Sequence, residues 1–440
     1  MNIPKGYKQT EVGLIPENWV VKKLGDIGKF KNGINKGKED FGFGYPFVNL
    51  LDIFGRTKLS NNLSLGLVNS TQQERKDYEL KQGDVLFVRS SVKPEGVGLT
   101  AVVIEDLDDS VYSGFIIRFR DFNLLNLSYK EYCFYEEKFR KRLIDNSTVS
   151  ANTNINQDAL KNLALAFPPT VAEQKAIAQS LSDVDALITE CDRLITKKRN
   201  NKQGTMEQLL TGKKRLPGFG KVQGYKQTEI GMIPDDWNVL DIADIVENNR
   251  VPSGIYKEKT LYGKGIKIIK LSDVFSLDYF DPAKAKRVVI NGNELLSYRV
   301  RVGDIFIALA SVKLEGVGKV MLVTELDEET AYDHNVALIR ANEVIDAKFL
   351  FYMLKSNLVR REISKLSTQV GTTFLKSSTI LKFKLPIPAV KVEQASIATV
   401  LSDMDTEIAG LEQKRDKYKA IKQGMMQELL TGKTRLIGSY

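Results

Sequence analysis

The chain contains a long internal repeat, which constrains its fold more than any other feature. Residues 171–216 return almost unchanged at 391–436, and corresponding positions lie about 220 residues apart, as from Glu173 to Glu393. The two copies align without an insertion. A fixed-period repeat indicates that one structural unit has been built twice. The sequence therefore predicts a duplicated architecture.

Each copy predicts one long helix with an apolar seam. Apolar residues alternate four and three positions apart, which is the a/d pattern of a coiled coil. The seam residues are Ile177, Leu181, Val184, Ile188, Cys191 and Ile195 in the first copy, and Ile397, Leu401, Met404, Ile408 and Leu411 in the second. A helix of about 40 residues would be roughly 60 Å long. An ordinary amphipathic helix on a globular core is the alternative, but two copies of one seam favour a coiled coil within the chain.

Each long helix follows a globular segment that is also duplicated. GYKQTEVGLIPENW at 6–19 returns as GYKQTEIGMIPDDW at 224–237, and both copies predict an extended arm that tucks a tryptophan into the domain behind it. GDVLFVRSSVKPEGVG at 83–98 matches GDIFIALASVKLEGVG at 303–318. This second match predicts a buried strand followed by a glycine-bounded loop. Further apolar segments and amphipathic helices around both copies indicate an α+β domain.

These repeats predict two α+β domains, each followed by a helical spacer. The predicted segments are a first domain at 1–165, a central spacer at 166–216, a second domain at 217–385 and a C-terminal spacer at 386–440. Pro217, Gly218 and Gly220 mark the natural linker.

Composition favours a cytoplasmic protein with an anionic partner. The chain of 440 residues has a formal net charge of +9 and a sequence pI near 9.1, so nucleic acid is the first candidate partner. The sequence has no apolar run of membrane-spanning length and no signal peptide pattern, and no membrane partner is expected. Cys133, Cys191 and the single histidine, His334, predict neither a disulfide framework nor a zinc cluster.

No catalytic motif is found. GKT at 432–434 lacks the phosphate-binding glycine loop before it, since Gln427 stands where the first glycine would be. FGFG at 41–44 resembles a methyl-donor motif, but it lacks an acidic partner and a catalytic tetrad and is interpreted as a loop. One histidine excludes most histidine-based acid–base designs. We therefore expect a protein that is not itself an enzyme.

The duplicated pattern closely resembles the specificity subunit of type I restriction–modification enzymes. It runs GYKxTExGxIPxxW, a domain, PPxxEQxxIAxxLSDxDxxI and QGxMxxLLTGKxRL, all repeated over essentially the whole chain. The resemblance implies two target recognition domains on double-stranded DNA, held apart by two spacers that pack antiparallel with approximate two-fold symmetry. It also implies methyltransferase subunits that methylate adenine and restriction subunits that act as motor and nuclease. The methyl donor, ATP and magnesium would belong to those partners, with no cofactor in this chain.

Comparing the two domains separates positioning residues from base-recognising ones. Groups that hold phosphate can be identical in both domains, whereas groups that specify bases should differ if the half-sites differ. The candidate positioning residues are Ser91, Lys93, Gly96 and Gly98, with Ser311, Lys313, Gly316 and Gly318. The candidate base-recognising residues are Asn49, Arg89, Ser90, Asn152 and Asn154 in the first domain, and Lys270, Thr372 and Phe374 in the second. Variable surface loops are the alternative interpretation for the second set.

The end of the first long helix is strongly basic. Its cations are Arg193, Lys197, Lys198, Arg199, Lys202, Lys213, Lys214 and Arg215. We interpret them as a solvated face, with DNA contact and an acidic partner as alternatives, and expect the LLTGK ends to contact partner subunits. Three functions remain open: a sequence-recognising subunit, a basic coiled-coil scaffold, and an unrecognised nuclease or methyltransferase, which the missing motifs disfavour.

Overall fold

The structure is a computed structural model, which describes residues 3–220, 224–366 and 373–436. The chain divides into two compact units. The first unit comprises Met1–Asp192 with Gln413–Tyr440, and the second comprises Arg193–Glu412. Each unit thus combines one globular domain with half of each long helix. The domain boundaries predicted from the sequence stay predictions.

The first globular domain is built from several small sheets, of which the largest has five strands, and a few short helices. Its strands are Tyr7–Thr10, Gly13–Pro16, Val20–Lys23, Gly28–Asn32, Phe41–Val48, Lys58–Leu59, Gly66–Val68, Val85–Val88, Ser90–Ser91, Thr100–Val103, Val111–Tyr112, Ile116–Asp121, Thr148–Val149, Thr153–Asn154 and Ala164–Phe167. Its α-helices are Leu24–Ile27, Leu50–Ile53, Gln72–Asp77, Leu127–Cys133, Glu137–Asp145 and Gln157–Asn162. In the largest sheet Val85–Val88 lies between Ile116–Asp121 and Thr100–Val103, antiparallel to both, and is buried throughout.

The second globular domain repeats this arrangement. Its strands are Tyr225–Thr228, Gly231–Pro234, Trp237–Asp241, Tyr262–Ile269, Lys286–Val288, Ile305–Ala308, Ala310–Ser311, Val320–Leu322, Thr330–Tyr332, Val336–Ile339, Thr373–Phe374 and Lys384–Pro388. Its α-helices are Ile242–Ile245, Leu271–Ser276, Gly292–Tyr298, Ala347–Lys355, Asn357–Leu366 and Ser377–Ile380. Ile305–Ala308 again lies between two antiparallel neighbours. The α+β prediction is confirmed.

The two long helices are the central helix, Val171–Leu210, and the C-terminal helix, Lys391–Leu429. In the first unit Asp185 of the central helix pairs with Lys422, their charged atoms 2.6 Å apart, and Asp192 pairs with Arg415 at 3.5 Å. In the second unit Lys198 pairs with Glu407. As the residue number increases along the central helix, the number of its partner on the C-terminal helix decreases. Within each unit the helices therefore run antiparallel, as predicted.

The seam residues have two kinds of apolar neighbour. Ile177 and Leu181 belong to a core that contains Leu429 of the C-terminal helix and also Tyr132 and Phe139 of the first domain. The coiled-coil prediction is confirmed, but the beginning of the seam also packs on the globular core. The sequence could not distinguish these two uses, because both require the same apolar spacing.

The predicted arms are β-hairpins rather than extended segments. Tyr7–Thr10 pairs with Gly13–Pro16, and Tyr225–Thr228 pairs with Gly231–Pro234 in the same register. Gly13 and Gly231 adopt φ values of +107° and +112°, which permit the tight turn. Trp19 is 1% exposed and Trp237 is fully buried. Both tryptophans are therefore core residues, as the sequence predicts.

A close contact explains the glycine after each long helix. Gly432 has φ +71°, and a Cβ placed there would lie 2.5 Å from Cδ of Pro16. Gly212 has φ +69°, and its Cβ would lie 2.5 Å from Cδ of Pro234. Each glycine thus allows the helix end to approach the hairpin of the same unit. By contrast, Gly204 and Gly424, inside the helices, have no neighbouring atom within 4 Å of a built Cβ.

We predict opposite effects for these two pairs of glycines. Gly212→Ala and Gly432→Ala should each lower the free energy of unfolding by at least about 1 kcal/mol, because alanine resists the left-handed conformation and its methyl group collides with proline. Gly204→Ala and Gly424→Ala, the matched controls, should raise it by about 0.5–1 kcal/mol. Chemical denaturation of the full chain measures both effects. Equal changes at all four positions would contradict the close-contact account.

Candidate nucleic-acid interface

Each domain holds its long helix through the same buried glutamine. Gln174 accepts a hydrogen bond from the backbone N–H of Asn126 at 2.6 Å and donates to the carbonyl of Pro168 at 2.9 Å. Gln394 accepts from the N–H of Asp346 at 2.8 Å and donates to the carbonyl of Pro388 at 2.9 Å. These bonds give the repeated EQ motif a structural role. They fix where each helix begins on its own domain.

The glutamate of the same motif binds an arginine from the other long repeat. In the first unit Arg435 donates to Glu173 at 2.8 Å, and the indole N–H of Trp19 donates to the same carboxylate at 3.3 Å. In the second unit Arg215 donates to Glu393 at 2.7 Å. Arg215 also binds Asp236, and this hydrogen bond lowers the pKa of the Asp236 carboxyl below its ordinary value. Both LLTGK ends are thus held within their units.

A second repeated network joins each domain to both helices. The hydroxyl of Tyr132 donates to Asp185 at 3.0 Å, and Asp185 also pairs with Lys422. In the second unit the hydroxyl of Tyr352 donates to Asp405 at 2.8 Å, and Lys202 pairs with the same carboxylate. Burial, followed by the neighbouring carboxylate, raises the pKa of Tyr132 above its ordinary value. Ion pairs between the two helices, as well as apolar packing, therefore fix their antiparallel register.

These pairs correct the interpretation of the basic helix end. Lys198, Arg199 and Lys202 pair with Glu407, Glu412 and Asp405 of the C-terminal helix. Lys213 lies 3.4 Å from Glu207. Lys202 is 9% exposed and therefore does not belong to a solvated face, whereas the side chains of Arg199 and Lys213 are each 62% exposed. The sequence did not reveal the pairs between the helices, because they depend on the register of the two helices.

The candidate positioning residues form one loop in each domain, residues 91–98 and 311–318, called the shared loops below. The hydroxyl of Ser91 accepts a hydrogen bond from the N–H of Lys93 at 3.2 Å, and Ser311 does the same for Lys313 at 3.1 Å. A Cβ on Gly96 would lie 2.2 Å from the Ser91 hydroxyl. The serine and glycine identities therefore maintain the loop itself.

The lysines of the shared loops face outward. Lys93 and Lys313 are exposed, and within the described part of the chain no ion pair is seen for either ammonium group. Gly98 and Gly318 have φ +64° and +71°, and a Cβ there would collide with Leu143 or Ile363. The glycines thus seat each loop on a helix while the lysine stays available for an anion.

Two arginines that the sequence analysis missed support the shared loops from behind. Arg140 donates to the carbonyls of Glu95 and Val97 at 3.0 and 2.8 Å. Arg360, at the matching position, donates to the carbonyl of Val317. Burial lowers the pKa of both guanidinium groups. The pKa of an arginine nevertheless lies far above neutral pH, so both groups remain charged. Because both residues are arginine at corresponding positions of the repeat, a comparison of the two domains could have identified them.

The structure brings part of the predicted base-recognising set to the first shared loop. Ser90–Ser91 pairs with Thr153–Asn154, so that Asn154 lies opposite Ser90. Asn152 and Ser90 line a concavity of about 540 Å³ together with the shared loop, called the first-domain concavity below. The amide of Asn154 instead donates to the carbonyl of Asn152 at 3.0 Å. Of the two asparagines, Asn152 is the one placed in the concavity.

Other predicted residues are used partly within the protein. Asn49 caps the helix Leu50–Ile53 by accepting from the N–H of Leu50 at 2.8 Å. Arg89 donates to the carbonyl of Gly114 at 3.2 Å. Lys270 occupies the matching cap position and lies over the ring of Tyr262, 4.1 Å from its centroid. These contacts fix the orientation of all three side chains.

In the second domain the matching strand pair carries different residues. Ala310–Ser311 pairs with Thr373–Phe374, which places Phe374 opposite Ala310. Phe374 is 60% exposed, where the first domain has Asn154. Thr372 lies outside the described residues. Two identical frameworks thus present different surfaces, an exposed phenylalanine in one domain and an asparagine in the other.

Taken together, the fold and the shared loops define a duplicated protein with one loop that exposes a lysine and one variable surface in each domain. The sequence matches the profile of the family described as "Type I restriction modification DNA specificity domain" over residues 16–201 and 234–420, and the chain belongs to this family. It is a specificity subunit of the type I restriction–modification class, as the resemblance predicts.

Individual relatives agree with this assignment. The chain is 26% identical to the type I restriction enzyme MjaVIII specificity subunit of Methanocaldococcus jannaschii, covering 98% of this chain and 96% of that protein. It is 28% identical to the putative MjaX specificity subunit of the same organism, covering 98% and 97%. The crystal structure of the S subunit from M. genitalium has the same fold, with a TM-score of 0.52, 13% identity and 98% coverage of both chains.

The described residues show neither a metal site nor a membrane-spanning helix. Among the described residues, no group of three or more His, Cys, Asp or Glu side chains is placed to hold a metal ion. No helix in the described ranges is long and apolar enough to span a membrane.

Proposed function

We propose that this specificity subunit recognises a split DNA target, with one half-site for each domain, and holds methyltransferase subunits on it. The observation that carries the proposal is the pair of shared loops. Their framework is the same in both domains, but the residues beside them differ. A common framework suits the phosphate backbone, which has the same chemistry in every sequence, whereas differing neighbours suit different bases.

The chemistry of the complex would lie in its partners. Adenine methylation would belong to the methyltransferase subunits and remote cleavage to motor–nuclease restriction subunits. The methyl donor, ATP and magnesium would be bound there, and the complex would act in the cytoplasm. Membership of a DNA specificity family supports this division of labour.

A basic scaffold without sequence recognition is the competing function. It explains the paired helices but gives no reason for the two domains to keep Lys93 and Lys313 exposed on matching loops. Sequencing of methylated adenines in cells with and without the gene distinguishes the two functions when the methyltransferase is expressed. A split motif that disappears with the gene supports recognition. An unchanged methylation pattern would favour the scaffold.

The exposed loop lysines lead to the first prediction on DNA. Lys93→Ala and Lys313→Ala should each weaken binding to all sequences about equally, because a phosphate contact carries no base information. Each should reduce the slope of log K against log salt by about one unit through lost counterion release. Binding titrations over a salt series measure this slope. An unchanged slope with an altered sequence preference would place the loops among the base-recognising segments.

The two asparagines of the first domain should behave differently. Asn152→Ala should relax one position of the first half-site, by roughly 1–3 kcal/mol if its amide contacts a base edge. Asn154→Ala is the control, because its amide is already bonded to the carbonyl of Asn152, and we expect a smaller effect. Methylation mapping with each variant reads both half-sites. Relaxation of the second half-site instead would contradict the assignment of one half-site to each domain.

A fragment of residues 1–221 should pair with itself. It loses the C-terminal helix and exposes apolar surface worth about 1.5–3 kcal/mol for each large side chain. In a symmetric pair, Lys202 of a second copy can replace Lys422 beside Asp185, and Arg215 can replace Arg435 beside Glu173. The repeat thus supplies both the apolar and the charged contacts.

Analytical ultracentrifugation measures the assembly of this fragment, and methylation mapping measures its target. We expect a dimer that directs methylation, with methyltransferase subunits present, to a symmetric sequence built from two first half-sites. A folded monomer at micromolar concentration would contradict the helix-pairing account. A dimer that methylates the original asymmetric target would contradict the domain assignment.

A further inference from the structure

One segment of the first-domain concavity was not among the predicted base-recognising residues. It is the turn Ser113, Gly114 and Phe115, which connects the strands Val111–Tyr112 and Ile116–Asp121. Phe115 lines the concavity beside Ser90, Lys93 and Asn152 and is 56% exposed. An exposed phenylalanine that is surrounded by other apolar side chains is typical of an interaction surface.

The turn is held firmly in place by Arg89. The backbone N–H of Arg89 donates to the carbonyl of Phe115 at 2.8 Å, and its guanidinium donates to the carbonyl of Gly114 at 3.2 Å. A Cβ on Gly114 would lie 2.0 Å from the amide oxygen of Asn35, so the turn also packs closely on its other side. The exposed ring therefore stands on a fixed backbone, as a recognition residue requires.

The concavity around this ring is largely apolar. Leu50, Phe54, Val92 and Leu99 line it, and Val92 is 81% exposed. Its polar side chains are those of Ser90, Ser91, Asn152, Lys93 and Glu95, of which the Lys93 ammonium and the Glu95 carboxylate are exposed. The surface thus combines an apolar wall with two hydroxyls, one amide, one cation and one carboxylate. This combination fits a duplex, whose phosphates are anionic and whose major groove presents one apolar group, the thymine methyl.

The matching turn of the second domain has a different chemistry. Asp333, His334 and Asn335 replace Ser113, Gly114 and Phe115, and buried Leu309 replaces Arg89. The Asp333 carboxylate accepts from the amide of Asn335 at 2.8 Å and from the hydroxyl of Tyr262 at 3.0 Å. Burial, followed by this hydrogen bond, raises the pKa of Tyr262 to about 12. The two turns differ in the way expected of segments that contact different half-sites.

We propose that Phe115 is a specificity-determining residue, which packs on the 5-methyl group of a thymine in the first half-site. The inference rests on the proposed function and adds a base and a contacting side chain to it. The turn 113–115 joins the shared loop, which positions phosphate, and Asn152 as a third DNA-contacting segment. Because Asn335 is polar, the matching turn of the second domain makes no such contact with a thymine methyl.

The test removes that methyl group alone. The full chain with its methyltransferase partners is titrated with duplexes of the mapped target in which each first-half-site thymine is replaced in turn by uracil. At one position the wild-type complex should bind about fourfold more weakly, the equivalent of about 0.8 kcal/mol for one buried methyl group. Phe115→Asn, which introduces the second domain's residue, should abolish this difference, and Phe115→Leu should keep most of it.

Phe122 provides the matched control, since it is 54% exposed and lies at the other end of the strand that Phe115 precedes. Phe122→Asn should keep the fourfold difference. An unchanged second half-site in methylation mapping shows that the Phe115 variants are folded. The inference is overturned if no thymine is sensitive, if the first half-site has no A·T pair, or if Phe115→Asn keeps the difference. A chain that binds no split target at all would instead contradict the proposed function.

Discussion

The contact on which each half of this structure depends is a glutamate–arginine pair between segments far apart in sequence. Glu173 begins the central helix, and Arg435 lies just beyond the C-terminal helix. Glu393 and Arg215 make the same pair in the second unit. Both glutamates are buried, so an unpaired carboxylate there would be strongly destabilising. The pair therefore requires that each domain be completed by the end of the opposite repeat.

The rest of the recognition surface follows from this completed framework. Gln174 and Gln394 fix the beginnings of the helices, and the aspartate–tyrosine–lysine networks fix their register. On each domain the half-buried arginine, Arg140 or Arg360, then supports a shared loop with an exposed lysine. In the first domain the candidate base-recognising residues Ser90, Asn152 and Asn154 lie beside that loop. A framework of this kind lets specificity change without disturbing the helix pairing.

The sequence predicted the parts of the fold that depend on repetition and apolar spacing. Strand Val85–Val88, both buried tryptophans and the two long helices follow directly from such patterns. The hairpin at Gly13 was missed, because the glycine turn stands within a segment that otherwise looks extended. The ion pairs of Lys198 and Lys202 were missed because charge complementarity depends on register, which apolar spacing alone does not reveal.

The candidate site was harder to predict for a related reason. Comparing the repeats found the shared loops, but identity alone could not separate a candidate phosphate-contacting lysine from glycines that accommodate Ser91 or Leu143. Differences alone were also ambiguous, since Asn49 and Arg89 are partly engaged within the domain. The sequence did not single out Phe115, because an exposed phenylalanine and a core phenylalanine look alike in a sequence, whereas the structure places this ring in a concavity that is mostly apolar.

The composition of the first unit has a consequence for synthesis on the ribosome. This unit is not complete until residues 413–440 have emerged, although its own domain and helix half end at Asp192. At roughly 5–20 residues per second, translation of the intervening stretch takes on the order of ten to forty seconds. During that interval Ile177 and Leu181 lack Leu429, and Glu173 lacks Arg435. The nascent first domain must therefore remain folded enough to avoid aggregation while it waits for the last helix of its own chain.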